Sequence, residues 1–181
     1  MRYFYKNNIF KHNIIEESMN KQKTKDLTLG EFCELEFLKL YGSRYKKLKN
    51  KFSIIDFKHK NKKKIIELKA RRYAFNGGTG DGAWQIGKNK IEKGKQLLNK
   101  GYTFYIYMVF LDGLYYYKYD PETFEDDLYI AIGGRVDRDV NEEKDYYYIK
   151  KEKFKKAKRQ FSVPSTESRN KLYGVTECLI D

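Results

Sequence analysis

The sequence predicts an α/β domain, a mixed sheet flanked by helices with extra strands toward the C-terminus. Three observations predict it. An apolar helical stretch at 29–41 is followed by three strand-like runs; a second helical stretch spans 86–100; and "YTFYIYMVFL", Asp112-Gly113 and "LYYYKYD" read as a β-hairpin. Asp-Gly tolerates the positive φ angles that a two-residue turn demands.

In chain order, residues 1–25 mix aromatics with Lys and Asn without firm periodicity and read as an N-terminal extension. The domain proper is expected over 26–160 and a loosely ordered tail over 161–181. Thr28 with Glu31 three residues on is a capping-box pattern, and Gly42 is a helix stop. The helix between them is apolar around most of its circumference, which predicts deep burial. Strands are expected near 44–49, 52–58 and 63–71, the last two joined by a lysine-rich turn. "YAFNGGTGDGAWQIG" carries five glycines and no sustained pattern, so it reads as a long loop of the kind that often serves function. Ile91, Gly94 and Leu98 fall at helical spacing, with lysines on the other side and Gly101 as a stop. After the hairpin, strands are expected near 128–138 and 145–150, then a basic helical segment around 151–159.

A chain of 181 residues can bury one real core without staples. Cys33 and Cys178 match no zinc or redox spacing and point to a reducing, intracellular setting. No stretch resembles a secretory signal, and the longest apolar run, at 102–111, is too short to span a bilayer, so no membrane partner is expected. The net charge of +13 favours a nucleic-acid partner, because clustered lysines release counterions from phosphate. Only eight of the 38 basic residues are Arg, and an AT-rich genome would produce the same bias.

The chemistry concentrates in "KKKIIELKARR". Strand alternation puts Glu67, Lys69 and Arg71 on one face and the apolar Ile66, Leu68 and Ala70 on the other. Charges in a core strand are costly to desolvate, so something must offset them. Asp56, in the preceding strand, comes close to Glu67 if the two strands pair antiparallel. Two neighbouring carboxylates repel unless a cation sits between them, and hard oxygen ligands suit Mg²⁺ or Mn²⁺. Lys69 on the same face is placed to orient a water or to stabilise charge developing on phosphate.

Asp56 followed eleven residues later by Glu67-Leu68-Lys69, behind an acid-bearing helix, resembles the PD-(D/E)xK nuclease superfamily of restriction endonucleases and Holliday-junction resolvases. The resemblance implies a restriction-endonuclease-like αβββαβ core, which matches the element order read from residue 28 to about 111. It implies Asp56 and Glu67 as metal ligands completed by the Leu68 backbone carbonyl, Lys69 as the catalytic lysine, and Mg²⁺ or Mn²⁺ as cofactor. Gly30 and Glu34 fit the spacing of the family's helix glutamate, which makes Glu34 an auxiliary acid in competition with Glu31 and Glu36. Arg71, Arg72, Lys88 and Lys90 would line the edge where a phosphate backbone is held. The implied activity is Mg²⁺-dependent hydrolysis of DNA phosphodiesters, endonucleolytic, with RNA as a narrower substrate class and a two-fold dimer favoured for cutting both strands. The alternative is a nucleic-acid-binding or packaging protein on a nuclease-like fold that does not cut.

Three acid-x-Lys tripeptides occur, at 56–58, 67–69 and 142–144, and only the middle one lies in an apolar run between an acid-bearing strand and a helix. If it were merely structural, Glu67 and Lys69 would form ordinary cross-strand ion pairs of about 0.2–1 kcal/mol each. "GGTGDG" lacks the Gly-Lys-Ser/Thr ending of a phosphate loop. Trp84 reads as a loop anchor, His12 and His59 lack partners at telling spacing, and the "YYY" runs at 115–117 and 146–148 read as half-buried strands.

Overall fold

A computed structural model describes residues 24–25, 27–48, 54–77, 82–123, 128–133, 144–165 and 167–168. Most of the predicted N-terminal extension and tail, with His12, Cys178 and the first two residues of the 142–144 tripeptide, lie outside the described residues.

The first helix, α1, runs over 27–41, and residues 24 and 25 are helical as well. Thr28 is therefore not its cap. Its hydroxyl donates to the Thr24 carbonyl one turn back (2.9 Å), as threonines inside helices do. Leu29, Cys33 and Phe37 recur every four residues and are buried, whereas Leu27 and Leu35 are 59% and 60% exposed. The helix is thus one-sided rather than buried all round. The helix stops at Gly42, whose N–H bonds the Leu38 carbonyl (2.7 Å).

Three short strands follow: β1 (Tyr45–Lys47), β2 (Phe57–His59) and β3 (Lys64–Ala70), joined antiparallel. Next come β4 (Ala83–Gly87) and α2 (Lys88–Leu98), which carry the chain across to β5 (Thr103–Phe110), parallel to β3. The β5–β6 hairpin (β6, Gly113–Lys118) closes with Phe110 opposite Gly113. The turn is therefore Leu111-Asp112, one residue earlier than Asp-Gly chemistry predicts. Of Asp112 and Gly113 only the glycine takes a positive φ, 135°, and the Asp112 carboxylate instead accepts the Phe75 N–H (2.8 Å). β7 (Leu128–Gly133), β8 (Lys144–Lys150) and β9 (Lys155–Lys156) complete the described strands.

The strands form a six-stranded mixed sheet, β1-β2-β3-β5-β6-β9, and a three-stranded antiparallel sheet, β4-β8-β7. Two predicted elements fall differently. The far end of the glycine-rich loop is strand β4, because β8, sixty residues on, pairs with it from Ala83 to Gly87. The basic segment at 151–159 is one 3₁₀ turn, Lys151–Lys153, followed by β9 on the edge of β6. Phe154 and Ala157 are buried in different cores, which a helix there would not allow. The tail is not loose throughout, since Val163 is buried and its N–H bonds the Phe110 carbonyl (2.9 Å).

Both faces of the large sheet are covered. On one, α1 packs Leu29, Cys33 and Phe37 against Phe57, Ile66, Leu68, Val109 and Leu114. On the other, α2 and the small sheet pack Ile91, Trp84, Ile86 and Ile149 against Ile65, Phe104, Ile106 and Met108. α2 approaches closely because Gly94 lies on the Phe104 ring, where a Cβ would collide. Among the described residues no helix is long and apolar enough to cross a membrane.

Candidate metal-dependent active site

β3 is the pivot. Its even-numbered Ile66 and Leu68 belong to the α1 side, and its odd-numbered Ile65 belongs to the α2 side. Alternation therefore places Glu67 and Lys69 under α2, as the sequence predicts. Glu67 is 0% exposed and is the one fully buried charged side chain among the described residues.

The register brings Asp56 to the same place by an irregularity. Phe57 pairs with Ile66, yet the Asp56 N–H also donates to the Ile66 carbonyl (3.2 Å), so two residues of one strand oppose one of the other. Such a bulge re-aims the extra side chain. The Asp56 carboxylate turns back to take the Leu68 N–H (2.8 Å), while its carbonyl accepts from Leu48 (2.8 Å).

Two ammonium groups meet Glu67 Oε1: Lys69 Nζ at 2.6 Å and Lys90 Nζ at 3.0 Å. Both approach off the hydrogen-bonding directions, and Oε2 also lacks a donor. Lys90, from the first turn of α2, donates to the Ile54 carbonyl (2.6 Å) as well and so ties the bend before Asp56 to Glu67. Burial lifts the Glu67 carboxyl above its ordinary range; Lys69 and Lys90 pull it down, and Asp56 pushes it further up. Burial works against the Lys69 ammonium, but Glu67 and Asp56 outweigh it and hold its pKa above the ordinary lysine value. Asp56 thus acts on both members of the pair, and its bond to the Leu68 N–H, between Glu67 and Lys69 in β3, is the contact that places it beside them.

The remaining predicted site residues distribute unevenly. Glu34 pairs with Lys47 on the α1 side, and Lys47 is raised by that bond first and by Asp56 and Glu31 more weakly. Glu36 pairs with Lys39 (2.5 Å) and Glu31 is exposed; Glu34, bonded to Lys47 on the α1 side, lies on the sheet face opposite Glu67 and Lys69 and does not join them. Arg71 donates to the Ala70 (3.2 Å) and Gln85 (2.8 Å) carbonyls, locking the end of β3 to β4. Arg72 is half-buried, and Lys88 pairs with Asp145 at the surface (2.8 Å). His59 Nδ1 accepts the Asn61 and Lys62 N–H groups, a turn cap and not a general base. Trp84 is buried against Phe110, as expected of an anchor.

Sequence reasoning gave Lys90 to the phosphate edge and missed that it is the second counter-ion of Glu67. No local signal marked it: alternation in β3 places Glu67 under α2, but which α2 residue reaches it depends on how the two elements pack. Among the described residues no three His, Cys, Asp or Glu side chains cluster closely enough to hold a metal. The donor set nevertheless suits Mg²⁺, which binds through one or two carboxylates and keeps several waters, and the unpaired Glu67 Oε2 offers it a buried hard oxygen. No protein-family model matches the chain, and no curated protein matches it.

Proposed function

We propose that the protein is a Mg²⁺-dependent nuclease acting on DNA phosphodiester bonds, endonucleolytic, on a restriction-endonuclease-like core of the PD-(D/E)xK kind. One observation carries the reading: a fully buried glutamate with an unpaired oxygen shares a face with a lysine 2.6 Å away, and an aspartate on a bulge acts on both. The order α1-β1-β2-β3, then α2 and β5 after the extra strand β4, agrees with the expected core.

In this reading Asp56 and Glu67 hold the cation, Asp56 oriented by the Leu68 N–H and Glu67 by the lysines on Oε1. The bound ion would supply Lewis acidity and a water of lowered pKa. Lys69, about a third exposed (31%), presents its ammonium to a phosphate oxygen or the attacking water. Lys90 keeps the Glu67 carboxylate in place, and Arg71 fixes the end of β3. Supercoiled-plasmid nicking tests the proposal: wild type cuts with Mg²⁺ or Mn²⁺ and not with chelator. Inertness on duplex, branched, single-stranded and RNA substrates alike would sink it.

A second reading rests on a specific observation. With two lysines already on Oε1, Glu67 is substantially neutralised without any metal, as it would be in a protein that binds nucleic acid and does not cut. Binding without nicking under every metal condition would select it.

A further inference from the structure

Three of the basic residues expected to hold a phosphate backbone are engaged within the protein: Arg71 with carbonyls, Lys88 with Asp145 and Lys90 with Glu67. A different set of lysines lies on the same sheet face. Lys46 and Lys58 are direct partners across β1 and β2, and Lys58 is in turn opposite Ile65, two residues from Glu67. Like charges facing each other across strands repel. Neither forms an ion pair with a described acidic residue. Next to them, Lys63 donates to the Lys100 carbonyl (3.1 Å), which gathers both residues at the start of β5. Lys58 Nζ lies 5.1 Å from the centroid of the Tyr102 ring. The Tyr102 hydroxyl is held below its ordinary pKa, first by the Lys58 hydrogen bond and then by the charges of Lys58, Lys63 and Lys100. The Lys58 ammonium therefore faces the Tyr102 ring, Lys63 reaches the Lys100 carbonyl and Gly101 beside it, and Lys46 faces Lys58 across the ladder.

We propose that Lys46, Lys58, Lys63 and Lys100, grouped around Tyr102, form a track for the phosphate backbone of duplex DNA. The track runs over β2 and β1 from the Glu67 site; its direction toward that site rests on the function proposed above, whereas its existence does not. Lysines are compact point charges suited to phosphate rather than to reading bases, so the track positions DNA without choosing a sequence. A polyanion laid along it relieves the Lys46–Lys58 repulsion and releases its own counterions.

The test is anisotropy of a fluorescein-labelled DNA duplex, titrated with full-length protein in chelator over a series of salt concentrations. Replacing Lys46→Gln and Lys58→Gln together should weaken binding by about tenfold or more and flatten the salt slope by about 1.8, two phosphate contacts' worth. The paired control, Lys155→Gln with Lys156→Gln on the far edge strand, should change affinity by less than about twofold. Loss of repulsion predicts a melting temperature no lower than wild type. Should the first pair nonetheless fold poorly, Lys63→Gln with Lys100→Gln serves with the same expected loss. An unchanged slope in the track variants, an equal loss in the control, or no wild-type binding would overturn the track. Wild type that binds through these lysines yet never nicks overturns the nuclease reading alone; nicking with unaffected binding in the variants overturns the track alone.

Discussion

Glu67 concentrates the energetics of the site in one side chain. A carboxylate sealed from water is costly unless paired, and here the pairing is lopsided, with two ammonium groups on Oε1 and none on Oε2. Glu67→Gln keeps the shape and removes the charge, so plasmid nicking should fall about 100-fold or more while duplex binding in chelator stays near wild type. Lys90→Met keeps the stem but removes the ion pair with Glu67 and the hydrogen bond to the Ile54 carbonyl. That change should cost about 1–3 kcal/mol in urea unfolding, because a polar group is left buried with fewer partners. The Lys69 ammonium yields a pH prediction. Its folded value lies above the ordinary 10.5, so its contribution to stability is complete below that pH and is lost as pH rises through the folded value. Melting temperature followed between about pH 9 and 12 should therefore fall more steeply in wild type than in Glu67→Gln, where Lys69 has lost its main partner. Equal slopes would mean that the pair is not coupled.

Among the elements, α2 decides how closely Lys90 can approach β3. Gly94 lies against the Phe104 ring with no space for a Cβ. Gly94→Ala should overpack this contact and destabilise the fold by about 1–3 kcal/mol, despite the better helix propensity of alanine, as read by denaturant midpoint. What the sequence made legible was local: the alternation of β3, the 3.6-residue spacing of α2 and the aromatic runs of β5 and β6 each carry their own period. What it hid depended on distant partners. β4 looked like a loop because its pairing strand is β8, and 151–159 looked helical because its lysines mask the two-sided burial of Phe154 and Ala157. The hairpin turn slipped by one residue because Phe75 captures the Asp112 side chain. In the site, Glu67 and Lys69 share a face as alternation requires, while the bulge that aims Asp56 and the Lys90 contact are tertiary facts with no local period.

At the scale of the molecule, the candidate site lies where β2, β3 and α2 meet, so a ligand there binds three elements joined across the sheet. Any ligand that binds the folded chain and not the unfolded one raises stability by mass action, about 2.7 kcal/mol at a hundred times its dissociation constant. Mn²⁺ should accordingly raise the melting temperature of the wild-type protein, and chelator should remove the gain. Asp56→Asn and Glu67→Gln should each abolish the shift, since each deletes a hard-oxygen ligand. Lys90→Met should behave oppositely. Removing a positive charge 3.0 Å from Glu67 Oε1 lessens repulsion of a divalent ion held by the same carboxylate, a term of several kcal/mol at an effective dielectric near 20. The lost pairing is a cost of the metal-free variant and does not oppose metal binding, so Mn²⁺ should bind it more tightly and shift its melting temperature further than in wild type. Calorimetric titration of Mn²⁺ into both proteins reads this without any turnover, and an equal or weaker affinity in Lys90→Met would mean that the lysine and the metal do not share Glu67.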